Sequence, residues 1–463
     1  MARPRAFTFA TGENFQQTSG MLDRVFRLTQ NGTNVRRELI AGLTTFAAMA
    51  YILALNPAIL ASGGATGMHL QGLITVTALA AAAGCLLMAA LTNYPIAQAP
   101  GMGINSYFAA IIVIQMGVPW QGALAMVFWN GVLFFALSVT GLRTRIVHAL
   151  PHPLHIGIQA GIGFFIAFIG FQNAGLVVAS AQTLVAEGNL FAAGPLAALL
   201  GLVLIIIMTR FRVPGAIILV VLLITLVGLL IPAGKGTLTA RPEGLFSLPA
   251  GIGQTFFALD WLYPFRHFQS ALPVIFTLLL LDLFDSIGTL IGLARQSGLM
   301  DKQGRMPKLG RALSADAAAT VVGALLGTST TTAYLESATG MQAGGRTGLT
   351  AVVTGLCFLV ALFFTPVISV IPMVATAPAL IFVGLLMARG LSELDYGNML
   401  ESAPAVLTAL LIPLCFSITG GIAVGLLLYC AAMLLAGRGR DLPWLTYGIA
   451  GVFVAFFILS QHG

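Results

Sequence analysis

Three acidic side chains sit where water is scarce. Asp282 and Asp285 lie inside the apolar run PVIFTLLLLDLFDSIGTLIG, and Glu336 follows a threonine run. A carboxylate at the middle of a bilayer costs about 2.5–3.5 kcal/mol to insert, so such acids usually face a cavity and carry function. Asp282 and Asp285 are three residues apart, neighbours on one helical face that Ser286 and Thr289 continue. Two carboxylates so placed in a poorly solvated site resist double ionisation, the requirement for a proton carrier. The alternative is that they bond to helix backbones and only lock packing. A fourth acid, Asp316, opens ADAAATVVGALLG close to a helix start, where an N-cap role competes with a site role.

Two interrupted stretches would have to position these acids. In YPIAQAPGMGINSY (94–107), Pro100 removes a backbone donor and each Gly weakens a helix by about 1 kcal/mol relative to Ala. In GTSTTTAYLE (327–336), the β-branched polar run favours extended backbone, with helix possible after Tyr334. Extended backbone at bilayer depth leaves N–H and C=O groups unpaired unless protein or a wet cavity satisfies them. The two stretches are therefore expected to pair as short strands, each feeding a half-helix whose positive N-terminal end points at the membrane middle. The bland reading makes either one an external loop.

The surrounding sequence is membrane-like throughout. Of 463 residues, 58% are hydrophobic and 8% charged, and the mean hydropathy is +0.96. Soluble proteins carry about a quarter charged residues, so a soluble enzyme is excluded. At roughly 20 residues per crossing there is room for about twelve to fifteen. Apolar segments fall at 39–60, 71–91, 101–116, 120–142, 154–179, 194–210, 213–231, 267–293, 313–326, 334–344, 348–370, 374–388, 403–418, 420–436 and 443–460. With the first fourteen as crossings and the N-terminus inside, 19 of the 22 basic residues fall on the cytoplasmic side, from Arg3 to Arg440. Only Lys235, Arg241 and Arg266 fall outside, so the orientation follows the positive-inside rule. That rule also accounts for the net charge of +7, and no basic–aromatic surface implies nucleic acid. The segment 443–460 is a fifteenth crossing or an interfacial helix.

Weaker signals are placed as follows. The first 37 residues lack an apolar core and are expected to form a cytoplasmic tail without a cleavable signal, in which 20–28 forms a short interfacial helix or a plain tail. Cys85, Cys357, Cys415 and Cys430 read as free, buried thiols. His148, His152 and His155 read as a solvated loop, because Pro151 and Pro153 break any common face. The basic residues from Arg295 to Arg311 are expected to meet anionic lipid headgroups. No metal or cofactor is expected. TRFRVPGAI (209–217) and SITGGIAVG (417–425) each join two apolar helices, and seven crossings separate them, so they run oppositely. Such inverted repeats mark secondary transporters.

The segments from Asp285 to Leu290 (DSIGTL), Ser314 to Gly323 (SADAAATVVG), Gly327 to Ser337 (GTSTTTAYLES) and Pro100 to Phe108 (PGMGINSYF) carry a specific resemblance, joined by Asn14–Phe15. From about residue 20 to 437 the chain resembles an AzgA-like purine permease, of the nucleobase–cation symporters related to uracil and xanthine permeases. The resemblance implies an all-α polytopic fold of fourteen segments in two inverted seven-helix repeats, with two half-helices preceded by short strands. It divides the chain into a tail (1–37), a first core portion (38–142, spans 1–4), a first gate portion (143–232, spans 5–7) and an extracytoplasmic loop (233–266). A second core portion (267–371, spans 8–11), a second gate portion (372–437, spans 12–14) and a C-terminal apolar segment (438–463) follow. It implies proton-coupled uptake of adenine, guanine or hypoxanthine across the inner membrane by a homodimer with elevator-like core movement, and no enzymatic activity.

Carried over by position, the substrate contacts implied are Asn105, Asp282, Asp285 and Glu336, with Asp316 supporting. Where the uracil-permease branch has Glu and His four apart, this chain has Asp285 and Thr289, so the carboxylates Asp282 and Asp285 must carry the proton. The chemistry suits a purine, whose rim alternates N–H donors with ring-nitrogen acceptors: carboxylates accept from the former, and an Asn amide serves either. Tyr107, Phe108 and Tyr334 are the aromatic candidates for stacking, or else packing residues. The rivals are a sulfate-type anion permease of the same architecture, a channel and a membrane-embedded enzyme. The first wants a cation at the site, yet three acids stand there without a nearby Lys or Arg.

Overall fold

The computed structural model of the chain describes residues 20–140, 151–211, 213–233, 236–297, 299–301 and 306–460. Asn14–Phe15, His148 and the basic residues Arg3, Arg5, Arg143, Arg145, Arg212, Lys235, Lys302 and Arg305 lie outside them, as does the Arg295 side chain.

Among the described residues, ten helices are long and apolar enough to cross a membrane, and four more apolar helices are shorter. Their outward faces are as apolar as their contacts. On Ala193–Arg210, Leu196, Leu200, Val203 and Ile207 are all exposed. Such a helix is stable only in a solvent that does not penalise exposed aliphatic carbon, which is the lipid interior.

The helices pack in two groups. In one, Val35–Met49, Leu70–Thr92, Trp120–Thr140, Leu309–Leu326 and Gly348–Ala361 pack on one another. In the other, His152–Asn173 is gripped by Met373–Ala388 and Met399–Leu414, with Ala193–Arg210, Ala216–Gly228 and Ile418–Leu435 alongside. Small residues set these crossings. A Cβ on Gly163 would lie 2.5 Å from the Gly384 carbonyl oxygen, and one on Gly384 would run into the carbonyl oxygen of Gly163. Here two backbones touch, as membrane helices do where no side chain intervenes.

Several expected boundaries shift for local reasons. The apolar segment 154–179 is helical only to Asn173; Gly175 adopts φ 72° and the β-branched Val177–Ser180 pairs with Leu184–Glu187 as a hairpin. The segment 334–344 holds only the six-residue helix Ser337–Gln342, too short to span the bilayer by itself. Met102–Gln115 is wound with wider turns at its end, where the Met116 N–H reaches back to the Ile111 carbonyl. The helix His152–Asn173 starts at His152, so His152 and His155 belong to its first turn rather than to a loop, with ring centroids 6.4 Å apart. Cys415 is exposed, whereas Cys85 and Cys430 are buried and Cys357 half-buried, all four as free thiols. A short helix, Met21–Phe26, forms in the tail with Met21, Leu22 and Val25 exposed. Trp444–Ser460 is helical and packs Phe453 edge-on against Phe276.

One buried acid serves the fold rather than the cavity. Glu38, fully buried in the first turn of Val35–Met49, accepts the backbone N–H groups of Arg346 (2.9 Å), Thr347 (3.3 Å) and Thr350 (3.2 Å) and the Thr350 hydroxyl (2.6 Å). It thereby satisfies orphan donors at the start of Gly348–Ala361. Glu38→Ala leaves those donors buried and unpaired, for a loss of about 3 kcal/mol. The expected outcome is a melting temperature several degrees lower in detergent, with Glu38→Gln falling between.

Candidate functional site

The two interrupted stretches meet as expected. Gln98–Pro100 and Thr331–Ala333 pair antiparallel, with Ala99 opposite Thr332. The Gly101 N–H donates to the Thr330 carbonyl (2.9 Å), and the Tyr334 N–H to that of Ala97 (3.1 Å). Each strand so satisfies the backbone of the other in a region shielded from water. The Tyr334 hydroxyl donates to the Pro100 carbonyl at 2.5 Å, tying the second strand's exit to the end of the first. Met102–Gln115 and Ser337–Gln342 then start from the two strand ends.

A cavity of about 1200 Å³ opens beside this crossing. Asp285, Thr289, Thr332, Tyr334 and Glu336 line one wall with Gly101–Ile104. Ile162, Ile166, Phe382, Arg389 and the turn Val213–Ile217 line it from the second helix group. The cavity therefore runs between the two helix groups. Gly103 touches both, since a Cβ there would lie 2.8 Å from Ile162 Cγ2.

The acids divide between this cavity and the interior. The shared face read for Asp282, Asp285, Ser286 and Thr289 splits in two, because a three-residue step turns about 300°. Asp285 and Thr289 point into the cavity, while Asp282 and Ser286 point into the helix group behind it. Asp285 accepts from the Thr332 hydroxyl at 3.4 Å. Asp282 is fully buried, accepts from Asn130 Nδ2 (3.2 Å) and the Thr320 hydroxyl (3.5 Å), and leaves Oδ1 without a partner. It is not among the cavity-lining residues.

Asn105 too stands back from the cavity. It is fully buried, donates to the Asn56 side-chain oxygen and does not line the cavity. Asn56 in turn donates to the hydroxyls of Thr77 (2.8 Å) and Thr328 (3.3 Å). The pair thus ties Met102–Gln115 to the helix Leu70–Thr92 and to the threonine run. Asp316 is not an N-cap, since it stands in the middle of Leu309–Leu326. It accepts from Gln98 Nε2 (2.7 Å), the Ala333 N–H (2.8 Å) and the Ser286 hydroxyl. One carboxylate so holds both strands and the helix that bears Asp285.

Two side chains escaped the sequence reading. Tyr51, at the break between Val35–Met49 and Ile52–Ala61, donates to Glu336 Oε1 at 2.6 Å. Only its place between two apolar helical stretches could have marked it. Phe382 joins Tyr334 as an aromatic side chain on the cavity lining, whereas Tyr107 and Phe108 are buried. Tyr107 shares a hydrogen bond with Thr419 at 2.8 Å. Tyr51→Phe releases Glu336 from its fixed pose without removing its charge. Uptake kinetics should show KM raised about 5- to 10-fold and maximal rate nearly unchanged, a cost of about 1 kcal/mol.

Many apolar helices, crossed half-helices and a cavity bearing two carboxylates between two helix groups define a multi-pass membrane transporter. The model described as "Permease family" (Xan_ur_permease) matches residues 36–424, and the chain belongs to that family. It is 40% identical to the adenine permease AdeQ of Escherichia coli over 95% of this chain and 97% of that protein. It is 41% identical to the guanine/hypoxanthine permease PbuG of Bacillus subtilis over 94% of this chain and 99% of that protein. Its fold resembles the transmembrane domain of the cyanobacterial bicarbonate transporter BicA, with TM-score 0.65 and 17% identity over 86% of this chain and 98% of that one.

Proposed function

We propose that this permease imports purine nucleobases (adenine, guanine or hypoxanthine) with protons across the inner membrane, its N-terminus cytoplasmic. The observation that carries the reading is the pair of carboxylates, Asp285 and Glu336, facing one cavity beside Tyr334. They accept the purine's ring N–H groups, and Tyr334 and Phe382 offer faces for its ring. Relatives named as adenine and guanine/hypoxanthine permeases support this substrate class. Asn105 orients the base only at second hand, by fixing the helix whose start lines the cavity. Asp282 is assigned the transported proton, held behind the substrate.

In this reading the first helix group is a core and the second a gate, each drawn from both halves of the chain. The halves 35–228 and 268–435 form two inverted seven-segment repeats, and the antiparallel strand crossing is what such an inversion places at the centre. Arg389 in the cavity lining, taken with the positive-inside rule, supports a cavity that opens to the cytoplasmic side. Alternating access then moves the core, with the substrate on it, past the gate of a homodimer. An anion permease is disfavoured because, among the described lining residues, Asp285 and Glu336 stand against a single basic side chain, Arg389.

The test is accumulation of labelled adenine in vesicles carrying an imposed inward proton gradient. Accumulation is expected to vanish when a protonophore collapses the gradient and to be competed by unlabelled hypoxanthine or guanine. Accumulation unchanged by the protonophore would refute symport, and failure of all three purines to enter would refute the substrate class.

A further inference from the structure

A second, smaller pocket of about 130 Å³ lies away from the transport cavity, where the helix Leu70–Thr92 ends. Arg27, Lys308 and Arg346 all line it, with Gln30, Asn31 and Tyr94. The three cations come from three distant stretches of the chain, so their meeting is a product of the fold. Among the described residues none of them forms an ion pair with a carboxylate. Like charges gathered this way repel, and nothing in apolar packing requires it.

The pocket is built around donors. Lys308 Nζ donates to the Thr92 carbonyl (2.6 Å) and stands 5.4 Å from the Tyr94 ring centroid. The Tyr94 hydroxyl accepts from the Lys308 N–H at 3.3 Å, which leaves its own hydrogen free to donate. Asn93 pins the walls: its amide donates to the Phe26 carbonyl (2.7 Å) and its oxygen accepts from the Gly348 N–H (2.8 Å). Arg27 caps the C-terminus of Met21–Phe26 in the left-handed region at φ 55°, ψ 47°, its N–H donating to the Asp23 carbonyl, which fixes where its side chain leaves the helix. Burial, then the nearby Arg311 and Arg27, holds the Lys308 ammonium below its ordinary pKa. An anion in the pocket would reverse that.

We propose that this pocket binds a phosphate group, as a phosphomonoester or inorganic phosphate, and so fastens the N-terminal segment to the core. Three cations and neutral donors around a space the size of one phosphate and a few waters match a tetrahedral dianion. The same chemistry is offered by a phosphomonoester lipid headgroup and by a free phosphate of the cytoplasm.

The full-length protein in maltoside micelles separates the two. Its thermal midpoint is measured against inorganic phosphate at constant ionic strength, and against short-chain phosphatidic acid with phosphatidylcholine as control. Saturable stabilisation by at least one probe is expected; a response to phosphate assigns a free ligand, and one to phosphatidic acid alone a headgroup. Arg27→Gln should raise the apparent Kd about tenfold or more while leaving labelled adenine uptake unchanged, and Arg346→Gln serves if that variant does not fold. No saturable stabilisation by either probe, or the same Kd in wild type and variant, overturns the proposal.

Discussion

Glu336→Gln should cut purine uptake by roughly 30- to 150-fold in kcat/KM, with the protein folded and present in the membrane. The side chain keeps its size, and its remaining carbonyl oxygen still accepts from Tyr51, which now donates at 2.6 Å. What changes is the rest of the group: one acceptor oxygen becomes an amide that only donates, and it meets a purine N–H that also donates. A hydrogen bond to a charged acceptor in a poorly solvated site is worth about 2–3 kcal/mol, and the donor–donor clash adds to its loss. Competition by unlabelled base measures the affinity. Normal uptake and affinity in this variant would remove Glu336 from the binding site. The contrast with Tyr51→Phe is informative, because that change leaves the charge and loosens only its pose.

Much of this site could be read from residue order, for a physical reason. Backbone that cannot be helical must be satisfied somewhere, and in a membrane the choice of partners is small. Pro100 with its glycines and the run Thr328–Thr332 each broke a helix, so pairing of one with the other followed from the solvent alone. The register, Gln98 opposite Ala333, did not follow, because nothing local distinguishes one threonine from the next. The acids in apolar sequence likewise announced themselves by cost. Which side of the helix each faced did not, since Asp282 and Asp285 differ by about 60° around the axis and either direction was apolar enough to be interior. Tyr51 and Phe382 lay hidden because an aromatic residue in an apolar helix is ordinary until its neighbours are known. Asp316 looked like a cap only because its helix began four residues earlier than the apolar pattern did. The cluster of Arg27, Lys308 and Arg346 was illegible for a different reason: its members are far apart in sequence and each alone resembles a headgroup anchor.

Asp282→Asn is the variant expected to separate substrate movement from the proton. The side chain is buried away from the cavity, its Oδ2 held by Asn130 and Thr320 and its Oδ1 unpartnered. A carboxylate left with an open acceptor and, among the described residues, no cation paired with it is strongly disfavoured as a permanent charge. It is tolerable if the group is neutral whenever the core crosses the membrane and ionises only when the cavity admits water. Asparagine mimics the neutral form permanently: with its amide oxygen in the place of Oδ2 it still accepts from Asn130 and Thr320 while the shape is kept. The core should then move loaded or empty without a proton. Counterflow exchange of labelled adenine against internal adenine is expected to persist within about threefold of wild type. Accumulation driven by a proton gradient should fall to equilibration, so that the whole concentration ratio disappears. The same experiment on Asp285→Asn discriminates the roles, because taking a substrate ligand away from the cavity wall weakens both exchange and accumulation. Accumulation retained in Asp282→Asn would assign the proton to another group, with Asp285 as the remaining carboxylate on the same helix.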